Sequence, residues 1–296
     1  MKKIQIDEIV IIILNYSNYN LTKNAVNNLL LNAIKYPIVI VDNNSPNESY
    51  SILKDYYSDN TNIHVIQTKN NGGYSKGNNF GIKYAESKYK NLKYICIMNP
   101  DIELKDSKII DNLILLLNSS SQYASATGIQ ILNGQKVHGW ELPSYLTLIF
   151  KESILFNKLN FMKKRMKEKV NESILEQEVL SGCFFVINKE IFKDIGYFDE
   201  NVFLYFEEDI LSHKLMQRGW KSVIDLNQSF YHNHNHKKSR TLKSLLKDYS
   251  IFVESKKYYC NKYMKKKPDL LFYISAIFHK YVELPLKYLI KYKIGM

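Results

Sequence analysis

The sequence predicts an α/β fold: a mainly parallel sheet sandwiched by helices, with a C-terminal helical extension. Three observations carry this. Bare apolar runs alternate with amphipathic segments through the first hundred residues, as in parallel sheets covered on both faces. A polar loop follows each apolar run. From about Lys237 the composition shifts to Lys, Tyr and Leu, with no intervening low-complexity linker.

The elements follow in order. Ile9 to Leu14 is a β-branched run, too long for a turn and too short for a signal-peptide core, and reads as a buried strand. Leu21 to Ile34 has helical spacing at Leu21, Ala25, Leu29 and Ala33. Ile38 to Val41 is a second strand after Pro37, Ser51 to Tyr57 a short helix, and Ile63 to Ile66 a third strand. Asn78 to Ala85 reads as helix, Tyr94 to Met98 as a fourth strand, and Ser107 to Leu117 as a helix capped by Ser107. Leu132 to Glu178 is irregular and holds a basic run, Lys163-Lys164-Arg165 with Lys167 and Lys169, which serves as a solvated face or a membrane-surface helix. Val179 to Asn188 is an apolar strand and Glu207 to Arg218 a helix. Ser222 to Ile224 and Phe230-Tyr231 are short strands. Two helices, Leu242 to Met264 and Asp269 to Lys291 after Pro268, close the chain.

The chain has 296 residues, 45% of them hydrophobic, enough for a sizeable core. The expected division is a catalytic domain over residues 1–236 and a helical extension over 237–296. The net charge of +12 favours anionic partners. The basic residues are dispersed and carry no nucleic-acid-binding signature, so no nucleic acid is expected. Cys96, Cys183 and Cys260 are far apart and form no CxxC pair, which fits a reducing, cytoplasmic setting. No apolar stretch approaches the roughly 20 residues of a membrane-spanning helix.

In open parallel sheets ligands bind at the carboxyl ends of the strands, so the polar residues there are the candidates. Asn15-Tyr16 follows the first strand. Asp42-Asn43-Asn44-Ser45 follows the second, where a carboxylate serves as a turn-maker or an acceptor for a nucleoside. Asn71, Gly72, Gly73, Lys76 and Asn79 belong to a glycine-rich loop opening a helix, a setting that suits anions, although the spacing is neither a P-loop nor GxGxxG. Asn99-Pro100-Asp101 follows the fourth strand, and the hard oxygen of Asp101 suits Mn²⁺ or Mg²⁺. Glu207-Glu208-Asp209 open a helix behind an aromatic cluster. Carboxylates there complement the helix dipole, but three in a row exceed what capping requires, and one is a candidate general base. His232, His234 and His236 would face one side of an extended strand, as metal ligands do.

In this order the motifs resemble those of family-2 glycosyltransferases of the GT-A fold, in the rhamnosyltransferase-like and capsule or O-antigen branches. The carrying residues run from Val10-Ile11-Ile12-Ile13-Leu14-Asn15-Tyr16 through Val41-Asp42-Asn43-Asn44-Ser45, Asn71-Gly72-Gly73-Tyr74-Ser75-Lys76-Gly77-Asn78-Asn79 and Met98-Asn99-Pro100-Asp101. They continue with Ser181-Gly182-Cys183-Phe184, Phe198-Asp199-Glu200, Tyr205-Phe206-Glu207-Glu208-Asp209, Arg218-Gly219-Trp220 and the histidines.

The resemblance implies donor contacts from Asn15, Asp42, Asn44, Asn71, Gly72, Gly73, Lys76, Asn79, Asn99 and Asp101. It implies a divalent metal on Asp101 with His232 or His234, and a general base at Glu208, then Asp209, with Glu207 beside them. Asn99 stands where the family's DxD motif has its first Asp. The implied reaction is inverting transfer from a UDP- or dTDP-sugar to a hydroxyl of a glycan or lipid-linked oligosaccharide, in capsule, O-antigen or wall polysaccharide synthesis. The basic helical extension suggests a peripheral contact at the inner face of the membrane, or a homodimer contact. The rival reading is a metal-dependent hydrolase using His232, His234 and His236.

Overall fold

The computed structural model describes residues 5–150, 153, 171–233 and 241–293. His234, His236 and the basic run at Lys163 lie outside them. The chain divides into two compact units. The first comprises Met1–Glu141, Lys167–Glu200 and Glu207–Asn235. The second comprises Leu142–Met166, Asn201–Phe206 and His236–Met296.

The first unit is built on one ten-stranded sheet. Its strands are β1 (Ile9–Asn15), β2 (Ile38–Asp42), β3 (Ile63–Gln67), β4 (Tyr94–Met98), β5 (Ile102–Leu104), β6 (Tyr123–Leu132), β7 (Gln135–Val137), β8 (Ile174–Glu176), β9 (Phe184–Asn188) and β10 (Lys221–His232). The helices of this unit are α1 (Tyr19–Leu31), α2 (Ser49–Tyr56), α3 (Gly73–Lys88), α4 (Ile109–Leu117), α6 (Lys189–Asp194) and α7 (Glu207–Gln217). The strand order is β3-β2-β1-β4-β9-β6-β10-β5, with β7 beside β6 and β8 beside β10. The β3-β2-β1-β4 half is parallel throughout. Beyond it β9 runs antiparallel to both β4 and β6, and β10 runs parallel to β6.

Side chains alternate across a strand, so the apolar run of β1 feeds two cores at once. Ile9, Ile11 and Ile13 pack with Ala25, Val26 and Leu29 of α1 and with α4. Val10 and Ile12 pack with Ile82 and Ala85 of α3 and with Phe192 and Leu215 of α6 and α7. This two-sided burial explains why the strands read as continuous apolar runs.

Between α4 and the irregular stretch, Tyr123–Leu132 forms the ten-residue β6, although Ser125, Thr127 and Gly128 interrupt its apolar pattern. Residues 179–183 precede β9 as a loop rather than extending it. The two short strands expected near residues 222 and 230 are one strand, β10. A register shift between Asp225 and Ser229 breaks its pattern where the strand bulges.

The second unit is helical: α5 (Tyr145–Phe150), α8 (Leu242–Lys262), α9 (Leu270–Phe278), a π-helical turn (His279–Glu283) and α10 (Leu284–Lys293). Thr241 caps α8 by accepting from the Ser244 N–H, and Asp269 caps α9 by accepting from that of Phe272. Aromatic rings fill the interior: Phe206 stacks on Tyr259 at 5.5 Å, and Tyr249 on Phe252 at 5.9 Å. Lys256 is buried with its ammonium over the rings of Phe252 and Phe272, which replaces some of its lost hydration.

Helix α3 lies unusually close to the sheet. A Cβ on Gly81 would sit 2.6 Å from Val41 Cγ2 and 2.9 Å from Ile12 Cγ2. Gly81→Leu should therefore destabilise the protein. Overpacking costs about 1–3 kcal/mol, more than the roughly 1 kcal/mol gained by removing a helical glycine. Urea denaturation monitored by circular dichroism measures the difference.

Candidate active site

The site starts from three strand ends in register. Asn15, Asp42 and Gln67 terminate β1, β2 and β3 side by side. Asp42 is fully buried. Its carboxylate accepts from Asn15 Nδ2 at 2.8 Å, Gln67 Nε2 at 3.1 Å, and the Ser45 N–H and Oγ at 2.9 and 2.6 Å. A carboxylate offers about four lone-pair sites, so Asp42 is saturated from within and braces the loop after β2. Asn15 is buried too, accepting from Thr22 Oγ1 at 2.8 Å. Asn44, with left-handed φ of 54°, is left exposed on the loop.

The glycine-rich loop is tied to this one through Asn43, whose amide donates to Asn71 Oδ1 at 2.9 Å and to the Gly73 carbonyl at 3.0 Å. Asn71 Oδ1 also accepts from the Gly73 N–H at 3.0 Å. Helix α3 then begins at Gly73, with Lys76 exposed in its first turn. Its N-terminal amides and that lysine are the donors an anionic group would meet. Asn79 is buried one turn later. It donates to the Phe198 carbonyl at 3.0 Å and Glu200 Oε1 at 2.9 Å, and accepts from the Phe198 N–H at 3.1 Å. It pins α3 to the segment after α6.

At the end of β4, Asp101 Oδ2 lies 3.1 Å from His232 Nε2, the last residue of β10. Gln130 Nε2 is 2.8 Å from His232 Nδ1, on the ring's other side. A side-chain amide can donate or accept, so Gln130 suits either imidazole tautomer. Neighbouring ligands of an octahedral ion with bonds of about 2.1 Å lie about 3 Å apart. The Asp101–His232 separation therefore fits two adjacent positions on a divalent cation. Among the described residues no group of three or more His, Cys, Asp or Glu forms a metal cage, and His234 lies outside them.

The acidic triplet opens α7. Tyr205 and Phe206, just before it, both adopt left-handed φ, 73° and 69°. Such conformations cost about 1–3 kcal/mol each in non-glycine residues and persist only where the surroundings hold them. Within the helical unit Phe252 packs on both rings. Beyond this turn Glu207 and Asp209 are buried and Glu208 is half-buried. Asp209 Oδ1 accepts from Trp140 Nε1 at 3.3 Å. Glu208 Oε1 accepts from the Gly182 N–H at 3.3 Å, and a Cβ on Gly182 would meet that oxygen at 2.8 Å. Only glycine lets the carboxylate approach so near.

The loop Ser181-Gly182-Cys183 is where the parts meet. The Gly182 carbonyl accepts from Tyr74 Oη at 2.7 Å. The Cys183 carbonyl accepts from the Asn99 N–H at 2.7 Å. Burial pushes the Cys183 thiol up to about 12; the Ser181 hydrogen bond opposes this, and the nearby Asp101 and Glu208 carboxylates reinforce it. Burial, then Glu208 and Glu207, hold the Tyr74 phenol well above its ordinary range, so it remains a donor. Sequence reasoning singled out neither Trp140, Gln130 nor Tyr74 for a role, because their partners lie 69, 102 and 108 residues away.

The pattern of the family Glycosyl transferase family 2 matches residues 9–196. The low-salt glycan biosynthesis hexosyltransferase Agl10 of Haloferax volcanii is 28% identical over 208 residues, covering 70% of this chain and 61% of that protein. The minor teichoic acid biosynthesis protein GgaB of Bacillus subtilis is 28% identical over 164 residues, covering 55% of this chain but 16% of that protein. The chain thus spans less than two thirds of each relative. Among solved structures, a mannosyltransferase of Pyrobaculum calidifontis in complex with GDP-Man and Mn²⁺ matches at a TM-score of 0.57 and 12% identity, over 98% of this chain and 76% of that one. TarS of S. aureus, residues 1–349 with UDP, matches at 0.52 and 15%, over 83% and 64%. The expected GT-A fold is that of these structures.

Removing the Tyr74 hydroxyl strands a buried carbonyl. Tyr74→Phe should cost about 1–3 kcal/mol, the usual penalty for an unsatisfied buried polar group. The denaturation midpoint would fall without a change in slope; an unaltered midpoint would show that water reaches the Gly182 carbonyl.

Proposed function

The chain belongs to glycosyl transferase family 2, and from that premise we propose that it moves a sugar from a nucleoside-diphosphate sugar onto a hydroxyl of a growing cell-surface glycan, inverting the anomeric centre. One observation carries the reading. The turn Asn99–Asp101, whose aspartate meets His232, and the acidic triplet, from distant parts of the chain, are both bonded to the Gly182–Cys183 loop. The names of its relatives support glycan or wall-polymer synthesis. The GDP-Man, UDP and Mn²⁺ in similar folds support a nucleotide donor and a divalent ion. A UDP- or dTDP-sugar is the donor proposed, and a glycan or lipid-linked oligosaccharide the acceptor.

The roles divide by position. The loops after β1 and β2, braced by Asp42, present Asn44 to the nucleoside. The α3 N-terminus and Lys76 face the diphosphate. Asp101 and His232 would hold Mn²⁺ or Mg²⁺, with His234 as a further ligand, and Asn99, two residues before Asp101, would serve the donor. When bound, the ion neutralises charge on the departing nucleoside diphosphate.

For the base, the sequence favours Glu208 before Asp209, and the local geometry supports the reverse. Both accept at 3.3 Å, Glu208 from the backbone N–H of Gly182, whose loop it braces, and Asp209 from the Trp140 indole. Asp209 sits beside half-exposed Trp140, whose indole offers a flat apolar face for a sugar ring. Asp209 takes the acceptor proton and Glu208 positions the loop, with buried Glu207 beside them in the first turn of α7. Attack from the side opposite the leaving group inverts the sugar in one displacement.

Calorimetry with a nucleotide panel tests the donor site. A nucleoside diphosphate should bind more tightly with Mn²⁺ than without, and Asp101→Ala should erase the difference. No nucleotide binding under either condition would sink the reading. Asp209→Asn should cut turnover by about two to four powers of ten, the usual worth of a general base, with nucleotide binding retained. Glu208→Gln should cost less; the opposite ranking would return the base to Glu208.

A further inference from the structure

The last helices of the second unit carry two opposite stripes. Phe272, Ala276, His279 and Glu283 face inward and are buried. Leu270, Ile274, Ile277 and Tyr281 repeat the same spacing two residues earlier, about 200° away at roughly 100° per residue, and are 74%, 53%, 58% and 62% exposed. An α-helix would rotate the following apolar residues off this face. The wider turn of the π segment at His279–Glu283 retards that rotation, so exposed Leu286, Leu289 and Ile290 continue the stripe. Pro285 gives the cause, because it has no N–H for the Tyr281 carbonyl and its ring would clash there in a regular helix. Glu283 is fixed inside the turn by His279 Nδ1 at 2.6 Å and Ser153 Oγ at 2.9 Å. The exposed face runs about 20 residues, or about 30 Å.

Charge selects the occupant. Residues 241–293 hold twelve lysines and four carboxylates, and one of those carboxylates is the buried Glu283. This segment supplies about two thirds of the chain's net charge of +12. Lys265, Lys266 and Lys267 are exposed at the head of the apolar stripe, and Lys287 is exposed further along. A second copy of so basic a surface would be repelled. An anionic lipid surface would be attracted, accepting the apolar stripe below its headgroups. Among the described residues no helix is long and apolar enough to cross a membrane, so the geometry suits lying in the interface.

We infer that the exposed face from Leu270 to Ile290 docks flat on an anionic lipid bilayer. This stands on apolar exposure and charge, apart from the donor site. The test is co-sedimentation of the full chain with vesicles of phosphatidylglycerol and phosphatidylcholine, and with phosphatidylcholine alone. Binding should require the anionic lipid and weaken with salt. Ile274→Glu with Ile277→Glu should reduce partitioning about tenfold or more. Lys265→Gln, Lys266→Gln and Lys267→Gln together should reduce it about fivefold per lysine at low salt. These side chains are exposed, so thermal midpoints should hold; if the isoleucine variant unfolds, the lysine variant and the salt titration decide. Absence of wild-type binding to anionic vesicles would overturn the inference. So would variants that bind like wild type, or light scattering that shows the isoleucine variant splitting an oligomer without losing vesicle binding. Nucleotide calorimetry on the same samples separates failure here from failure of the donor site.

Discussion

Backbone groups buried at the entrance to β9 must find partners, and the partners they find organise the site. The Gly182 N–H, the Gly182 carbonyl and the Cys183 carbonyl are bonded by Glu208, Tyr74 and Asn99. Leaving such groups unpaired would cost about 1–3 kcal/mol apiece. Meeting them draws the start of α7, the start of α3 and the end of β4 to one loop. The start of α3, the Asn99–Asp101 turn and the acidic triplet are therefore held by one short segment. Gly182 is required because any larger residue would displace Glu208.

A second constraint acts at the sheet. With both faces covered, β1, β2 and β4 bury their side chains on two sides, with polar residues at or just after their carboxyl ends. The ends of β1, β2 and β3 then join through Asp42, which gathers Asn15, Gln67 and Ser45 around one buried charge. A buried carboxylate is tolerated only when its hydrogen bonds are satisfied. Here that requirement makes the loop after β2 stiff and leaves Asn44 pointing outward from a rigid base.

The helical unit obeys a different rule. It is rich in Tyr, Phe and Lys, and its interior is made of stacked rings, with one lysine held over two of them. The same rings hold the strained turn at Tyr205 and Phe206 that leads into the acidic helix. Its outer face keeps large apolar side chains in water, which in a folded chain calls for a partner. The π turn keeps that face continuous.

Sequence by itself determined the elements whose signal is local. The runs at Ile9, Ile38, Ile63 and Tyr94 are strands because consecutive β-branched and apolar residues need burial on two faces, whatever surrounds them. The glycine-rich turn, the acidic triplet and the Asn99–Asp101 motif were legible in the same way, and their order suggested the family. Tertiary structure alone decided β6 and the continuity of β10, where polar residues and a register shift hide strands that only their neighbours stabilise. It alone assigned Gln130 to His232, Trp140 to Asp209 and Tyr74 to Gly182. These are contacts across long stretches of chain. Their energy depends on which groups folding buries together, and no local pattern of residues encodes that.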